Sequence, residues 1–157
     1  FSRAYASAAA GFPLISNLIV KRPMSDKAFI DSNVLLYLLA SDPDKADRAE
    51  AVIAENSVIS VQVLNEVANV ARKKLNMSWE AIGEFLGLVR SVCPVEPLTT
   101  ETHDRALQLA QRYRLSLYDA SIVAAALIAQ CAKLYSEDLQ HGMLFDDALR
   151  VVNPFKT

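Results

Sequence analysis

Several things that would each mark a function are scarce in this 157-residue sequence. Cysteine occurs twice, at Cys93 and Cys131, with no CxxC pair and no Cys/His ligand spacing, which excludes a zinc-finger-type site and a disulfide scaffold. Both cysteines lie in apolar stretches and read as buried free thiols suited to a reducing cytoplasm. Histidine also occurs twice, at His103 and His141, and neither falls into a convincing Ser–His–Asp arrangement. A membrane span needs an apolar run of about 18 residues; the longest here, Ile122 to Ala129, is far shorter. Internal repeats and low-complexity segments are missing. So is an excess of positive charge: 16 Lys and Arg face 18 Asp and Glu, for a formal net charge of −2. A protein that held nucleic acid through a basic surface alone would be more positive. Either nucleic acid is not the partner or something else supplies positive charge, and a bound divalent metal is the obvious candidate.

What is present is ordinary for one globular domain: 52% hydrophobic and 22% charged residues. Lys27–Asp31 reads as a short buried strand and Asn33–Ala40 as an apolar helical run stopped by Ser41-Asp42-Pro43. Asp44–Glu55 reads as a surface helix and Val58–Ser60 as a strand. Val61–Leu75 carries Val63, Val67 and Val70 at helical spacing. Ser78 caps a helix running to about Val92. Val95–Leu98 is a strand candidate, and Thr99–Tyr113 a helix opened by Thr99/Thr100. Tyr118–Cys131 is an almost wholly apolar helix, hence central. Lys133–Ser136 and Arg150–Val152 are the last strands. Alternating strands and helices predict a parallel-type sheet covered on both faces.

Four acids stand out by position. Asp31 ends the first strand, and in open α/β sheets ligands bind beyond the carboxyl ends of strands; it equally suits a helix N-cap. Glu66 shares the polar side of its helix with Gln62, Asn69 and Lys73, where alone it reads as a solvated glutamate. Asp119 opens the most apolar helix, able to satisfy orphan N–H groups while keeping an oxygen for a cation. Asp138 follows a strand, as ligand or as turn residue. All four point toward one edge of the sheet. Carboxylates gathered without a cation raise one another's pKa, and an all-oxygen set suits Mg2+ or Mn2+. Leaving these four out turns the net charge from −2 to +2.

The segments FIDSNVLLYLL, VLNEVANVARKKL, RLSLYDASIVAAAL, LYSEDLQHG and RVVNPF, in that order, resemble the PIN-domain family, with the VapC-type toxins of bacterial toxin–antitoxin pairs the most similar. The resemblance covers about Lys27 to Phe155; YDASIVAAA and SEDLQHG are its specific parts, and a single Asp in IDSN is not. It implies an α/β, PIN-like three-layer sandwich with a mainly parallel central sheet. It implies an endoribonuclease dependent on Mg2+ or Mn2+, inhibiting translation from the cytoplasm. The family's acids fall on Asp31, Glu66, Asp119 and Asp138, its supporting polar positions on Asn33 and Ser136. It also implies a cognate antitoxin, whose tail in many relatives enters the acidic groove, and a homodimer. Phe1–Pro23, basic, Ser-rich and without acids, has no counterpart. It is set aside as a non-core segment (upstream or tag sequence before Met24, a targeting remnant, or an arm), leaving 24–157 as the nuclease domain.

Lesser residues have quieter readings. Arg72, Lys73 and Lys74, the densest basic run, either track an RNA backbone or form a solvated face. Trp79 and Tyr118 either stack on bases or pack at helix starts. His141 reads as a loop residue, His103 and Asp104 as solvated, Asp146 and Asp147 as loop acids. The competing functions are a DNA or flap nuclease of the same architecture, a partner-binding module without catalysis, and an aspartyl-phosphate enzyme using Asp31. The last would want a second Asp where Asn33 stands.

Overall fold

The computed structural model describes residues 26–156; the expectations for residues 1–23 and for Met24 lie outside them. Six strands form one sheet in the order β3-β2-β1-β4-β6-β5. They are β1 (Ala28–Ile30), β2 (Ser57–Ser60), β3 (Val95–Glu96), β4 (Lys133–Tyr135), β5 (Leu144–Phe145) and β6 (Leu149–Val152). All neighbouring pairs are parallel except β5 with β6. Successive strand residues face opposite sides of a sheet, and Ala28, Phe29 and Ile30 are all fully buried. Both faces at the centre are therefore covered, as the run of apolar residues in β1 requires. The mainly parallel sheet flanked by helices is the expected architecture.

The helices start where their caps say. Following β1 come α1 (Ser32–Leu36) and a tighter turn of 3₁₀ helix, Tyr37–Leu39, so the apolar run expected as one helix divides in two. Helix α2 (Pro43–Ile53) opens with Pro at its first position and the Asp42 carboxylate accepting from the Lys45 amide. Ser60 caps α3 (Val61–Lys73), which buries Val63, Val67 and Ala71, one every four residues. Ser78 caps α4 (Trp79–Val92), and a Thr99/Thr102 capping box opens α5 (Thr100–Tyr113).

Helix α6 (Leu117–Ile128) is the central one, with every residue from Ala120 to Ala126 buried. It begins one residue earlier and ends three earlier than expected. Ser116 is its N-cap, accepting from the Asp119 amide, so Asp119 sits inside the first turn and does not cap. Gln130, at φ 58°, turns the chain out of the helix toward β4.

Strand β5 was not expected. It is two residues long, joined to β6 through Asp146 and Asp147, both at positive φ, with Ala148 N–H donating to the Phe145 carbonyl. Aspartate tolerates this left-handed conformation better than most residues. The connection places α5 beside the hairpin, where the Tyr113 ring meets Phe145 edge-on at 4.9 Å.

Strand order reverses at β1. The chain runs outward from β1 through β2 to β3, then returns to place β4 on the other side of β1. Such a switch point leaves a crevice beyond the carboxyl ends of the two strands. Asp31 follows β1 and Ser136 follows β4, so both stand at its mouth.

Candidate functional site

Asp31 anchors the crevice. Its amide is still tied to the sheet, donating to the Tyr135 carbonyl, while its side chain already caps α1. One carboxylate oxygen, Oδ1, accepts from the Ser32 amide at 2.7 Å. The other accepts from Ser136 Oγ at 2.8 Å and Asn33 Nδ2 at 3.0 Å. The residue is only 4% exposed. Burial pushes its pKa up, against the Ser136 and Ser32 hydrogen bonds, and the charges of Asp119 and Asp138 push it further the same way. The cap reading of Asp31 is thus realised, with the same carboxylate standing where β1 ends.

Asn33 and Ser136 hold this carboxylate from the far side. Asn33 Oδ1 accepts from the Glu137 amide at 3.0 Å, which fixes which end of the side-chain amide is the donor. Its Nδ2 then reaches Asp138 Oδ2 at 3.2 Å as well as Asp31. Ser136, fully buried, spends its only proton on Asp31 and accepts from the Leu139 amide at 3.2 Å. Asn33 therefore bridges Asp31 and Asp138.

A second bridge was missed in the sequence. Ser32 Oγ lies 3.0 Å from Glu66 Oε2 and 3.4 Å from Asp31 Oδ1. Its position between Asp31 and Asn33 in IDSN was the available signal. Glu66 is half-buried on α3; burial raises its pKa first, and the charges of Asp31 and Asp119 add to that. Asp119 completes the set from α6. Its carboxylate takes no hydrogen bond from any described residue, yet its charge acts on both Asp31 and Glu66.

The four expected acids are therefore brought near one another, linked by shared donors and by charge. They do not close into a ready-made ligand set: among the described residues, no three acidic, histidine or cysteine side chains stand close enough to grip one ion. The donors to Asp31, Asp138 and Glu66 are uncharged, from serine, asparagine and, at Glu66, also the Gln62 side chain. The charges acting on Asp31 and Glu66 are other carboxylates. An all-oxygen group of this kind, repelling itself, fits a hard divalent cation better than a softer metal.

Neighbouring residues have other work. Glu137, beside Asp138 in sequence, takes a 2.6 Å hydrogen bond from Tyr37 Oη and a 3.0 Å ion pair from Lys45. Burial opposes its ionisation, but those two partners prevail and hold its pKa below the usual range. His141 is exposed, its Nδ1 accepting from the Asn153 amide, and His103 and Asp104 are exposed as expected. Arg72 donates to the Met77 carbonyl at 3.0 Å and lies 5.2 Å from the Trp79 ring centre. The Arg72-Lys73-Lys74 run ends α3, about 10 Å further along the helix axis than Glu66 at 1.5 Å per residue. Of the two aromatics at helix starts, Trp79 is 65% exposed with Arg72 against its ring, and Tyr118 is 66% exposed with no ring or cation partner among the described residues.

An α/β sheet with converging carboxylates at its switch point is the class of protein that fold and crevice define. A family model described as the PIN domain matches residues 28–142, and the chain belongs to that family. No curated protein matches the sequence. Among solved structures, a toxin–antitoxin complex from Klebsiella pneumoniae aligns at 22% identity over 83% of this chain and 99% of that one, with a TM-score of 0.63. VapC20 of Mycobacterium tuberculosis, a toxin that cleaves the sarcin–ricin loop, aligns at 19% identity over 71% and 89% of the two chains, TM-score 0.60. VapBC2 from Rickettsia felis, bound to a fragment of its promoter DNA, aligns at 19% identity over 81% and 99%, TM-score 0.57. At these identities the likeness is one of fold.

Proposed function

We propose that this protein is a metal-dependent endoribonuclease, the toxin of a VapBC-type toxin–antitoxin pair, acting in the cytoplasm to inhibit translation. One observation carries the reading. A buried aspartate at the switch point is held by uncharged donors and pressed by two further carboxylates, an arrangement that a divalent ion relieves. Membership of the PIN family and the fold shared with toxins, one of them RNA-cleaving, support it from outside.

Asp31, Asp119 and Asp138 would hold Mg2+ or Mn2+, with Glu66 on the same ion, on a second, or through water. When bound, such an ion supplies Lewis acidity toward a phosphoryl oxygen and offsets the carboxylate charge. The chain's own residues supply orientation. Ser136 and Asn33 fix the plane of the Asp31 carboxylate, Asn33 spaces Asp138 from it, and Ser32 holds Glu66. Because the crevice raises the Asp31 and Glu66 pKa values, protons would compete with a cation for these carboxylates as pH falls.

The partners in this reading are an RNA substrate, a cognate antitoxin and a second copy of the chain. No helix among the described residues is long and apolar enough to cross a membrane. The test is cleavage of single-stranded RNA and of DNA of the same sequence, with Mg2+ or Mn2+ and with chelator. RNA is cut only with metal, and the DNA is left intact. Equal cutting of DNA points to the flap-nuclease alternative, and cutting that survives chelation removes the metal from the mechanism.

A further inference from the structure

Beside the crevice lies a groove of about 410 Å³ lined by Gln62, Asn65, Glu66, Asn69 and Tyr118. Its composition is unusual for a surface that only needs to be wet. Three of its five residues are amides, and Asn65 and Asn69 stand one helical turn apart on α3, so they present their side chains along one line. The single aromatic, Tyr118, is 66% exposed, although it directly precedes a helix residue of the carboxylate group. No described residue gives its hydroxyl a hydrogen bond or its ring an aromatic or cationic partner. The contrast with Tyr37, Tyr113 and Tyr135 is direct, since each of those hydroxyls is engaged. Glu66 belongs both to this groove and to the carboxylate group, so whatever lies here lies within reach of the chemistry.

The chemistry of the lining selects the occupant. No lysine or arginine lines the groove, so it is poorly suited to a phosphate or a peptide carboxylate. An exposed ring offers a flat apolar face, and amides offer paired donors and acceptors. A flat heterocycle with donors and acceptors on its rim matches both, and unpaired RNA bases are read by stacking and edge hydrogen bonds. We propose that this groove is a nucleobase subsite, where one unpaired base of single-stranded RNA stacks on Tyr118 while the Gln62, Asn65 and Asn69 amides meet its edge. The subsite rests on the ribonuclease reading above and adds a recognition element to it. It gives the acidic site a foothold on its substrate that does not depend on basic charge.

The experiment uses the full chain, a fluorescein-labelled single-stranded oligoribonucleotide, and copies of it carrying one abasic position each in turn. Affinity is read by anisotropy in chelator, and KM and kcat by cleavage with Mg2+ or Mn2+. Tyr118→Leu weakens binding and raises KM about tenfold or more, the range of one lost base–aromatic stack, with a smaller change in kcat. Trp79→Leu, which removes the other large exposed aromatic among the described residues, changes neither. On the one oligonucleotide whose abasic position falls at the subsite, wild type and Tyr118→Leu bind alike, because the stack is already gone. Equal binding and KM for wild type and Tyr118→Leu on the intact strand, with RNA still cut, overturns the subsite and leaves the nuclease reading standing. So does a Tyr118→Leu defect that persists undiminished at every abasic position, which marks a role in folding or in binding a protein partner. A wild type that neither binds nor cuts RNA fails the nuclease reading itself.

Discussion

Asp31 and Asp146 are the same residue type, both partly or wholly withdrawn from water, and they are treated in opposite ways. Asp146 receives two guanidinium groups, Arg105 at 2.8 Å and Arg112 at 3.2 Å, and the Tyr113 hydroxyl at 2.9 Å. Burial pushes its pKa up, but the Tyr113 and arginine contacts more than offset this and bring it below the usual carboxylate range. Asp31 receives only neutral donors and looks toward two other acids, and its pKa is raised. Charge compensation at Asp146 comes from within the chain and fastens a hairpin to α5. At Asp31 the described residues supply none, and in the proposed function a bound cation would do so. An acid kept short of counter-charge in a crevice marks a site that expects a cation; an acid supplied with two marks a fastening.

The largest test of that contrast is Asp119→Asn. The substitution keeps the size of the side chain and takes away one of the charges that press on Asp31 and Glu66. Because loss of mere supporting residues around a metal costs 10–100-fold, loss of this acid should lower RNA cleavage by at least about 100-fold. The rise in melting temperature that Mg2+ gives the wild type, expected from binding to the native state alone, should vanish too. Melting in chelator should stay near the wild-type value, because lost repulsion is set against lost interaction with the α6 dipole. Cleavage within tenfold of wild type would place the chemistry elsewhere.

Asp146→Asn is the converse and should be smaller. It breaks two ion pairs with partly exposed arginines and weakens the bonds made with Tyr113, so a loss of about 1–2 kcal/mol is expected, discounted for solvent on the arginine side. Urea unfolding reads it as a lower midpoint. Metal-dependent cleavage and the Mg2+ shift in melting should be unchanged. A protein that loses cleavage with this substitution while still folded would mean the two clusters are not separate.

Much of this contrast was legible in the sequence, and the remainder fails for identifiable reasons. Asp31 and Asp138 follow strands, Asp119 opens the most apolar helix, and placing them at one edge needs only an alternating α/β order. Nothing local distinguishes Glu137 from Asp138, however. The first is spoken for by Tyr37 and Lys45, about a hundred residues earlier in the chain, and only the fold brings them together. Asp146 looked like a loop acid because Arg105 and Arg112 lie on another element. Ser32 was in plain view inside IDSN, but its link to Glu66 depends on how α1 sits against α3. Strand β5 escaped because two residues carry no periodicity. The start of α6 was misplaced because Asp119 and Ser116 are both good caps, and backbone geometry chose the serine.

The subtlest expected difference is in pH dependence, and its sign separates the two clusters. Asp146 has a lowered pKa in the folded protein. Its contribution is therefore present above its ordinary value of 3.8 and is lost as pH falls through the folded value, so wild type and Asp146→Asn should converge in acid. Glu66 has a raised pKa, from burial first and from Asp31 and Asp119 after it. The folded state then holds its proton more tightly than the unfolded state, and stability is lost as pH rises above the ordinary value of 4.5. Glu66→Gln preserves an acceptor for Ser32 Oγ and removes the charge. In chelator near neutral pH it should be the more stable protein, by less than about 1 kcal/mol since the side chain is half in water, and the advantage should disappear below pH 4.5. Adding Mg2+ should reverse the order at neutral pH, because the wild type alone gains the full binding energy. Thermal melts of the two proteins at three pH values, with and without metal, decide it. If Glu66→Gln is the less stable protein in chelator at neutral pH, the repulsion inferred at the crevice is not there, and Glu66 is an ordinary fastening like Asp146.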